Sequence, residues 1–241
     1  MNLFSFFHKK QPITPIRVDI HSHILPNIDD GVKTLKESIA IIKKFKYLGY
    51  SKLITTPHVL SDLYPNTKEI ITEKLQIVRD ELEEQNIEIN LEASAEYYLD
   101  EKFFQLIEDD ELLPFNNNYI LFETPCISRV IMLEETIQAL LDRGYIPVLA
   151  HPERYHYLYS DDLEKYKQLK RAGVLFQVNL KSLQSKSKSI QKIALKLIQA
   201  KLVDFIGSDV HRMNDIIKIE KVLKSRGYQH IMRNNNFLNN G

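Results

Sequence analysis

Short apolar runs recur along the chain at intervals of about 25 to 40 residues, each followed by a longer amphipathic segment. The runs at 16–20 (IRVDI), 52–56 (KLITT), 88–93 (EINLEA), 119–123 (YILFE), 146–150 (IPVLA), 174–178 (VLFQV) and 203–207 (VDFIG) read as strands. Between them lie helical segments. One begins after Thr34, a candidate N-cap, and stops at Gly49; Ile39, Ile42, Phe45 and Leu48 form its apolar stripe. Another starts at Arg129 and ends at Gly144. Strand alternating with helix implies an α/β fold with parallel strands and right-handed crossovers, and seven such units can close into a (β/α) barrel. In a barrel the functional groups gather at the C-terminal strand ends. The expected organisation is an N-terminal extension over 1–15, one barrel domain over 16–228, and a flexible tail over 229–241, which is rich in asparagine.

Composition narrows the class. At 44% hydrophobic residues the chain can bury a sizeable core, yet no apolar run approaches the ~20 residues of a membrane-spanning helix. The apolar "LFSFF" precedes its lysines, the reverse of a secretory signal, so a cytoplasmic location is expected. Packing of this patch against the barrel floor is favoured over docking on a membrane or partner. Lys+Arg and Asp+Glu balance at 32 each, which argues against a general nucleic-acid binder. Cys126 is the only cysteine, which excludes an internal disulfide and a thiolate zinc site and reads best as a small buried hydrophobe.

The ends of the apolar runs carry an unusual set of side chains. His21, His23 and Asp30 follow the first, His58 the second, Glu96 the third and Glu123 the fourth. His151 and Arg154 follow the fifth, and Asp209 and His211 the seventh; the sixth ends on Asn179. Burying Asp30, Glu96, Glu123 and Asp209 together without a cation is very costly. Imidazole and carboxylate without thiolate suit manganese, iron or zinc, and the set exceeds what one ion takes. Two or three divalent ions are expected, manganese first, activating a water and clamping phosphoryl oxygens. Three such ions leave the pocket at about +2, which favours an anionic substrate. Arg154 is placed to add a bidentate phosphate contact.

The stretches "DIHSHILPNIDDG", "TTPH", "AEYY", "LFETP", "AHPERY" and "GSDVH", spanning residues 19 to 211, resemble the polymerase and histidinol phosphatase (PHP) superfamily of metal-dependent phosphoesterases. Within it, the likeness is to the bacterial capsule-biosynthesis protein-tyrosine phosphatases. The resemblance implies a distorted, TIM-like barrel of seven strands and a trinuclear centre. His21, His23, Asp209 and Glu96 would hold the first ion. Glu96, bridging, would hold the second with Glu123 and His151. Asp30, His58 and His211 would hold the third. Arg154 would bind phosphate; Asp209 or His211 would help protonate the leaving group. The implied reaction is attack of a metal-activated hydroxide on phosphorus, without a phosphoenzyme. The implied partner is the phosphorylated tyrosine-rich tail of a tyrosine kinase controlling polysaccharide export.

Asp29 and Glu92 are the less favoured members of their acid pairs. The family's second phosphate-binding arginine has no counterpart a few residues after His211; Arg212 or Arg129 is the candidate substitute. Tyr97, Tyr98 and Tyr155 flank the motifs as candidate stacking partners for a phenol ring, although packing is the favoured role for some of them. A small-molecule phosphatase of the histidinol-phosphatase kind shares the same centre. A catalytically inactive, metal-stabilised binding module is a further alternative, and a nuclease is disfavoured by the neutral charge. A cysteine-dependent phosphatase is excluded, because its arginine would stand at the position of Met132.

Overall fold

The computed structural model describes residues 14–240. The N-terminal "LFSFF" lies outside the described residues. The strands are β1 (Val18–Asp19), β2 (Lys52–Thr55), β3 (His58–Val59), β4 (Asn90–Ala93), β5 (Glu96–Tyr98), β6 (Tyr119–Glu123), β7 (Ile146–Ala150), β8 (Leu175–Asn179) and β9 (Phe205–Gly207). The helices are α1 (Leu35–Leu48), α2 (Lys68–Glu84), α3 (Glu101–Glu108), α4 (Leu133–Asp142), α5 (Glu164–Arg171), α6 (Lys188–Gln199), α7 (Met213–Leu223) and α8 (Arg226–Asn234). All strand pairs are parallel.

The strands form two sheets, ordered β1-β2-β4 and β3-β5-β6-β7-β8-β9. The single sheet of seven strands expected from the apolar runs is thus divided, because two of those runs break. The second breaks at Thr56–Pro57, between β2 and β3, where proline has no N–H to donate. The third breaks at Ser94–Ala95, between β4 and β5. Ser22 and Val210 make an isolated parallel bridge that brings the chain after β1 beside the chain after β9.

Both sheets face one interior. Ile54 of β2, Leu121 of β6, Val148 and Ala150 of β7 and Phe205 of β9 pack with Ile20 and Phe115 as a small buried cluster. Alternate residues on the same strands, among them Ile120, Phe122, Leu149, Phe176, Val178 and Ile206, join the larger core with the helices. This is the period-2 division expected of strands buried on both faces. The apolar interior stops at one level. Above it the same inward rows continue as Gln177 and Gly207, where His21 packs.

Helix α1 begins and ends as the sequence predicts: Thr34 accepts a hydrogen bond from Glu37 N, and Gly49 adopts φ 107°, a left-handed cap. Helix α4 starts at Leu133, later than the sequence pattern suggests. Residues ahead of it form a loop after β6, in which Ile131 is 97% exposed.

The tail is a correction. The segment from 229, expected to be flexible, is helical to Asn234 and then anchored. Asn239 Nδ2 donates to the carbonyls of Val18 and Ile206, both at 2.8 Å, and Leu238 N donates to Asp204 O at 2.8 Å. The Asn239 amide thus bridges backbone carbonyls of β1 and β9, edge strands of the two sheets. Among the described residues, no helix is long and apolar enough to cross a membrane.

Candidate metal centre

Glu96 opens β5 and is fully buried. Its Oε2 lies 3.1 Å from His21 Nε2, 3.3 Å from His23 Nε2 and 3.3 Å from His58 Nδ1. Its Oε1 lies 3.0 Å from His151 Nε2. One carboxylate therefore meets four imidazoles from three separate segments. The two Nε2 atoms of His21 and His23 are themselves 3.3 Å apart. Donors held about 2.1 Å from one tetrahedral ion stand roughly 3.4 Å from each other. The triangle of His21, His23 and Glu96 has that size.

The outer nitrogens of the first two histidines are already committed. His21 Nδ1 faces Gln177 Oε1 at 2.7 Å, and His23 Nδ1 faces Asp29 Oδ2 at 2.8 Å. Each carbonyl or carboxylate oxygen accepts from an Nδ1–H, which leaves the Nε2 lone pair directed inward, the arrangement usual for metal-binding histidine. Asp29 also accepts from Gly31 N at 2.9 Å and His58 N at 3.1 Å. These bonds occupy Asp29, and its neighbour Asp30 is the one that faces the cleft. Asp30 Oδ1 is 3.5 Å from His58 Nε2 and 3.3 Å from His211 Nε2. Glu123 Oε1 is 3.3 Å from His58 Nδ1, and its Oε2 is 3.7 Å from His151 Nε2. Asp209 Oδ1 is 3.3 Å from His211 Nδ1 and 3.8 Å from both His21 and His23 Nε2. The nine imidazole and carboxylate residues singled out at the strand ends converge on one place.

Three overlapping groups have donor atoms within 4.8 Å of one another: His21, His23 and Glu96; His58, Glu96 and Glu123; and His23, Asp30, His58 and His211. The donor set fits divalent ions. Buried Glu96 Oε2 and Asp30 Oδ1 have no hydrogen-bond partner among the described residues, a costly arrangement unless a cation meets them. The electrostatics agree. Burial alone would push Glu96 up, but the surrounding imidazoles hold it well below the usual carboxylate range. Burial would push His21 and His23 down, but the carboxylates of Glu96, Asp209 and Asp29 raise both. The site calls for positive charge, which protons or metal ions can supply.

Backbone geometry at two of these positions is unusual. His151 and Asp209 adopt φ of 35° and 50°, in the left-handed region that non-glycine residues seldom occupy. Asp209 is secured from both sides. Asp19, buried and pushed up to about 7 by desolvation, accepts from Ser208 N at 2.8 Å and Ser208 Oγ at 2.7 Å. Asn179 Nδ2 donates to Asp209 Oδ2 at 2.6 Å.

The cluster floors an open cleft of about 560 Å³, whose lining includes Arg154, Lys181, Arg212 and Lys218. Arg154 Nη1 lies 3.7 Å from Asp209 Oδ2; burial lowers its pKa, but that carboxylate more than compensates and keeps the guanidinium charged. Arg129 is elsewhere: it pairs with Glu134 and lines a separate groove with Leu133, Ile137 and Leu169. Glu92 pairs with Lys52 at 2.8 Å, away from the cleft. Tyr97 and Tyr155 are packing residues. Tyr97 stacks on Phe103 and its Oη accepts from Leu113 N at 2.7 Å, while Tyr155 Oη accepts from Thr124 N at 3.2 Å. Tyr98 stays half-buried.

Gln177 and Lys181, and a bonding role for Asn179, join the site only in the structure. The sixth apolar run ended without an ionisable ligand, but its polar "QVN", inside an otherwise apolar strand, was a visible signal.

Residues 17–233 match the family described as capsular polysaccharide synthesis, CpsB/CapC. The chain belongs to the CpsB/CapC family. It is 31% identical to a putative tyrosine-protein phosphatase CapC of Staphylococcus aureus over 82% of this chain and 78% of that protein. It is 30% identical to the tyrosine-protein phosphatase YwqE of Bacillus subtilis over 81% of this chain and 78% of that protein. A crystal structure from work on Bacillus subtilis YwqE and Streptococcus pneumoniae CpsB, described as metal-dependent tyrosine phosphatases, superposes with a TM-score of 0.77. That match has 26% identity and covers 92% of this chain and 96% of the other. The resemblance drawn from the motifs is borne out, and with it the α/β fold.

In this CpsB/CapC chain the close approach at Gly207 carries a stability prediction. A Cβ there would meet Gln177 Nε2 at 2.5 Å and His21 Cβ at 2.9 Å. Gly207→Ala is expected to cost about 1–3 kcal/mol. For a chain of this length that lowers the melting temperature by roughly 2–10 °C. An unchanged thermal melt would show that the layer around His21 yields freely.

Proposed function

We propose that this CpsB/CapC chain is a cytoplasmic, metal-dependent protein-tyrosine phosphatase. Its substrate is the phosphotyrosine-bearing tail of a tyrosine kinase of capsular or exopolysaccharide biosynthesis. The observation that carries the reading is Glu96, buried among four imidazoles beneath an open cleft that Arg154 lines. Counting β2 with β3 and β4 with β5 as one interrupted strand each, we read the two sheets as one distorted barrel of seven strands with the cleft at its C-terminal face.

Two or three divalent ions are the cofactor, manganese first, with iron or zinc as the other candidates. When bound, they supply Lewis acidity that lowers the pKa of a water and offsets charge on phosphoryl oxygens. His21, His23, Asp209 and Glu96 would hold one ion, Glu96 with Glu123 and His151 a second, and Asp30, His58 and His211 a third. Gln177 and Asp29 fix the rings of His21 and His23 in the productive tautomer. Arg154 orients the phosphate through its guanidinium fork. Of the two groups expected to protonate the departing tyrosyl oxygen, His211 is the one that can carry a proton. Asp209, which burial would push up but Lys181 and the neighbouring imidazoles hold well below the usual carboxylate range, stays ionised. A phenol of pKa about 10 leaves readily, so this proton contributes less than it would for an alkyl ester. The open cleft suits a flexible peptide better than a small metabolite, which usually requires enclosure.

Turnover of a phosphotyrosine peptide against an alkyl phosphate monoester, with manganese present, separates the readings. The peptide is expected to give the higher kcat/KM. Equal or better turnover of the alkyl ester would replace this reading with a small-molecule phosphatase. Stoichiometric metal with turnover of neither would make the chain a binding module.

A further inference from the structure

The wall of the cleft beside Asp209 holds a lysine that the metal-ligand set does not use. Lys181 lies on the short 3₁₀ turn Leu180–Gln184 that follows β8. Its side chain is 23% exposed, and its ammonium donates to the backbone carbonyl of Asp209. The same nitrogen is 3.5 Å from Asp209 Oδ2, and Arg154 Nη1 is 3.7 Å from that oxygen. Neither distance is that of a tight charged hydrogen bond, which lies near about 2.8 Å. Asn179 Nδ2, at 2.6 Å, already satisfies Asp209 Oδ2.

Two cations thus flank one carboxylate oxygen that is already bonded. An ammonium carries three protons. The Asp209 carbonyl takes one, and the rest are available at the edge of the cleft. Once Asp209 is engaged by a cation on its Oδ1 side, its charge no longer balances both Lys181 and Arg154. The wall then carries an uncompensated positive charge facing the place where a phosphoryl group must sit.

We infer that Lys181 is a second phosphate-binding residue, acting with Arg154 on the oxygens of the substrate phosphoryl group. The inference rests on the reading of the cleft as a phosphoester-hydrolysing site. Arg154 grips in a plane, and Lys181 adds a point charge from the neighbouring segment, so that the phosphate is held from two elements, the turn after β7 and the turn after β8.

The test uses inorganic phosphate and the metal-loaded protein. Calorimetric titration of the wild type, Lys181→Met and Lys181→Arg is run beside elemental analysis of each. The methionine variant is expected to bind phosphate about 10- to 100-fold more weakly, the scale of a lost charged hydrogen bond. Its metal content should equal that of the wild type, and the arginine variant should recover most of the affinity. Unchanged phosphate affinity in Lys181→Met overturns the inference. So does a parallel loss of metal, since Lys181 would then serve only to position Asp209, and so does a wild type that binds no phosphate. A wild type that binds phosphate through Lys181 but ignores phosphotyrosine peptides counts against the tyrosine substrate and leaves Lys181 in place.

Discussion

Glu96→Gln is expected to reduce phosphatase turnover by about 10³-fold or more. The replacement keeps the volume of the side chain and the β5 backbone, so the barrel has no steric reason to unfold. What it removes is the charge that four imidazole nitrogens surround at 3.0–3.3 Å. An amide offers one oxygen as an acceptor and turns an NH2 toward nitrogens whose lone pairs face it. A bridging position needs two anionic oxygens, and glutamine has neither. Elemental analysis should show that the metal shared through Glu96 is lost or depleted, with circular dichroism still native. A variant that retains full metal content and more than about a tenth of wild-type kcat would remove Glu96 from the bridging role.

Chelation is expected to abolish turnover altogether, and readdition of a divalent ion to restore it. Cys126→Ser should retain wild-type activity through the same treatment. Cys126 is half-buried against the core, and Met132 stands where a cysteine phosphatase would need arginine. The stripped protein should also show a distinctive pH response. In the absence of ions the carboxylates raise His21, His23 and His58 above the ordinary histidine value despite burial. Such groups bind more protons folded than unfolded between the two pKa values, so the slope of stability with pH is negative there. Their contribution is complete below about pH 6.5 and fades as pH rises through the raised values. Melting temperatures of the stripped protein should therefore fall from about pH 6.5 upward. The metal-loaded protein should gain on it over the same range, because deprotonated imidazoles bind metal more tightly. A stripped protein whose stability is flat or rising over that interval would show that the imidazoles are neutral without metal.

Much of this centre was legible before any coordinates. Strand ends are readable because an apolar run that stops abruptly at His, Asp or Glu has few explanations in a core. The six motif stretches place their ligand types there one after another. Helix α1 was equally readable, since Thr34 and Gly49 act through their own backbone neighbours. The tail was misread because Asn239 earns its place through Val18 and Ile206, far away in the chain. Arg129, one of two candidates for the second phosphate contact, sits on the loop after β6 and pairs with Glu134, a placement that only the fold of that loop determines.

Sequence alone determined the repeating α/β pattern, the chemistry of the ligand set and the exclusion of thiol chemistry, because each depends on residue type and local spacing. The tertiary structure alone decided the division into two sheets, the bonding of Asp29 to His23 and to His58 N, and the roles of Gln177, Asn179 and Lys181. Those depend on which donors and acceptors meet across 20 to 200 residues of chain. A hydrogen bond or a charge at 3 Å is set by where two segments are packed, and no local pattern encodes that distance.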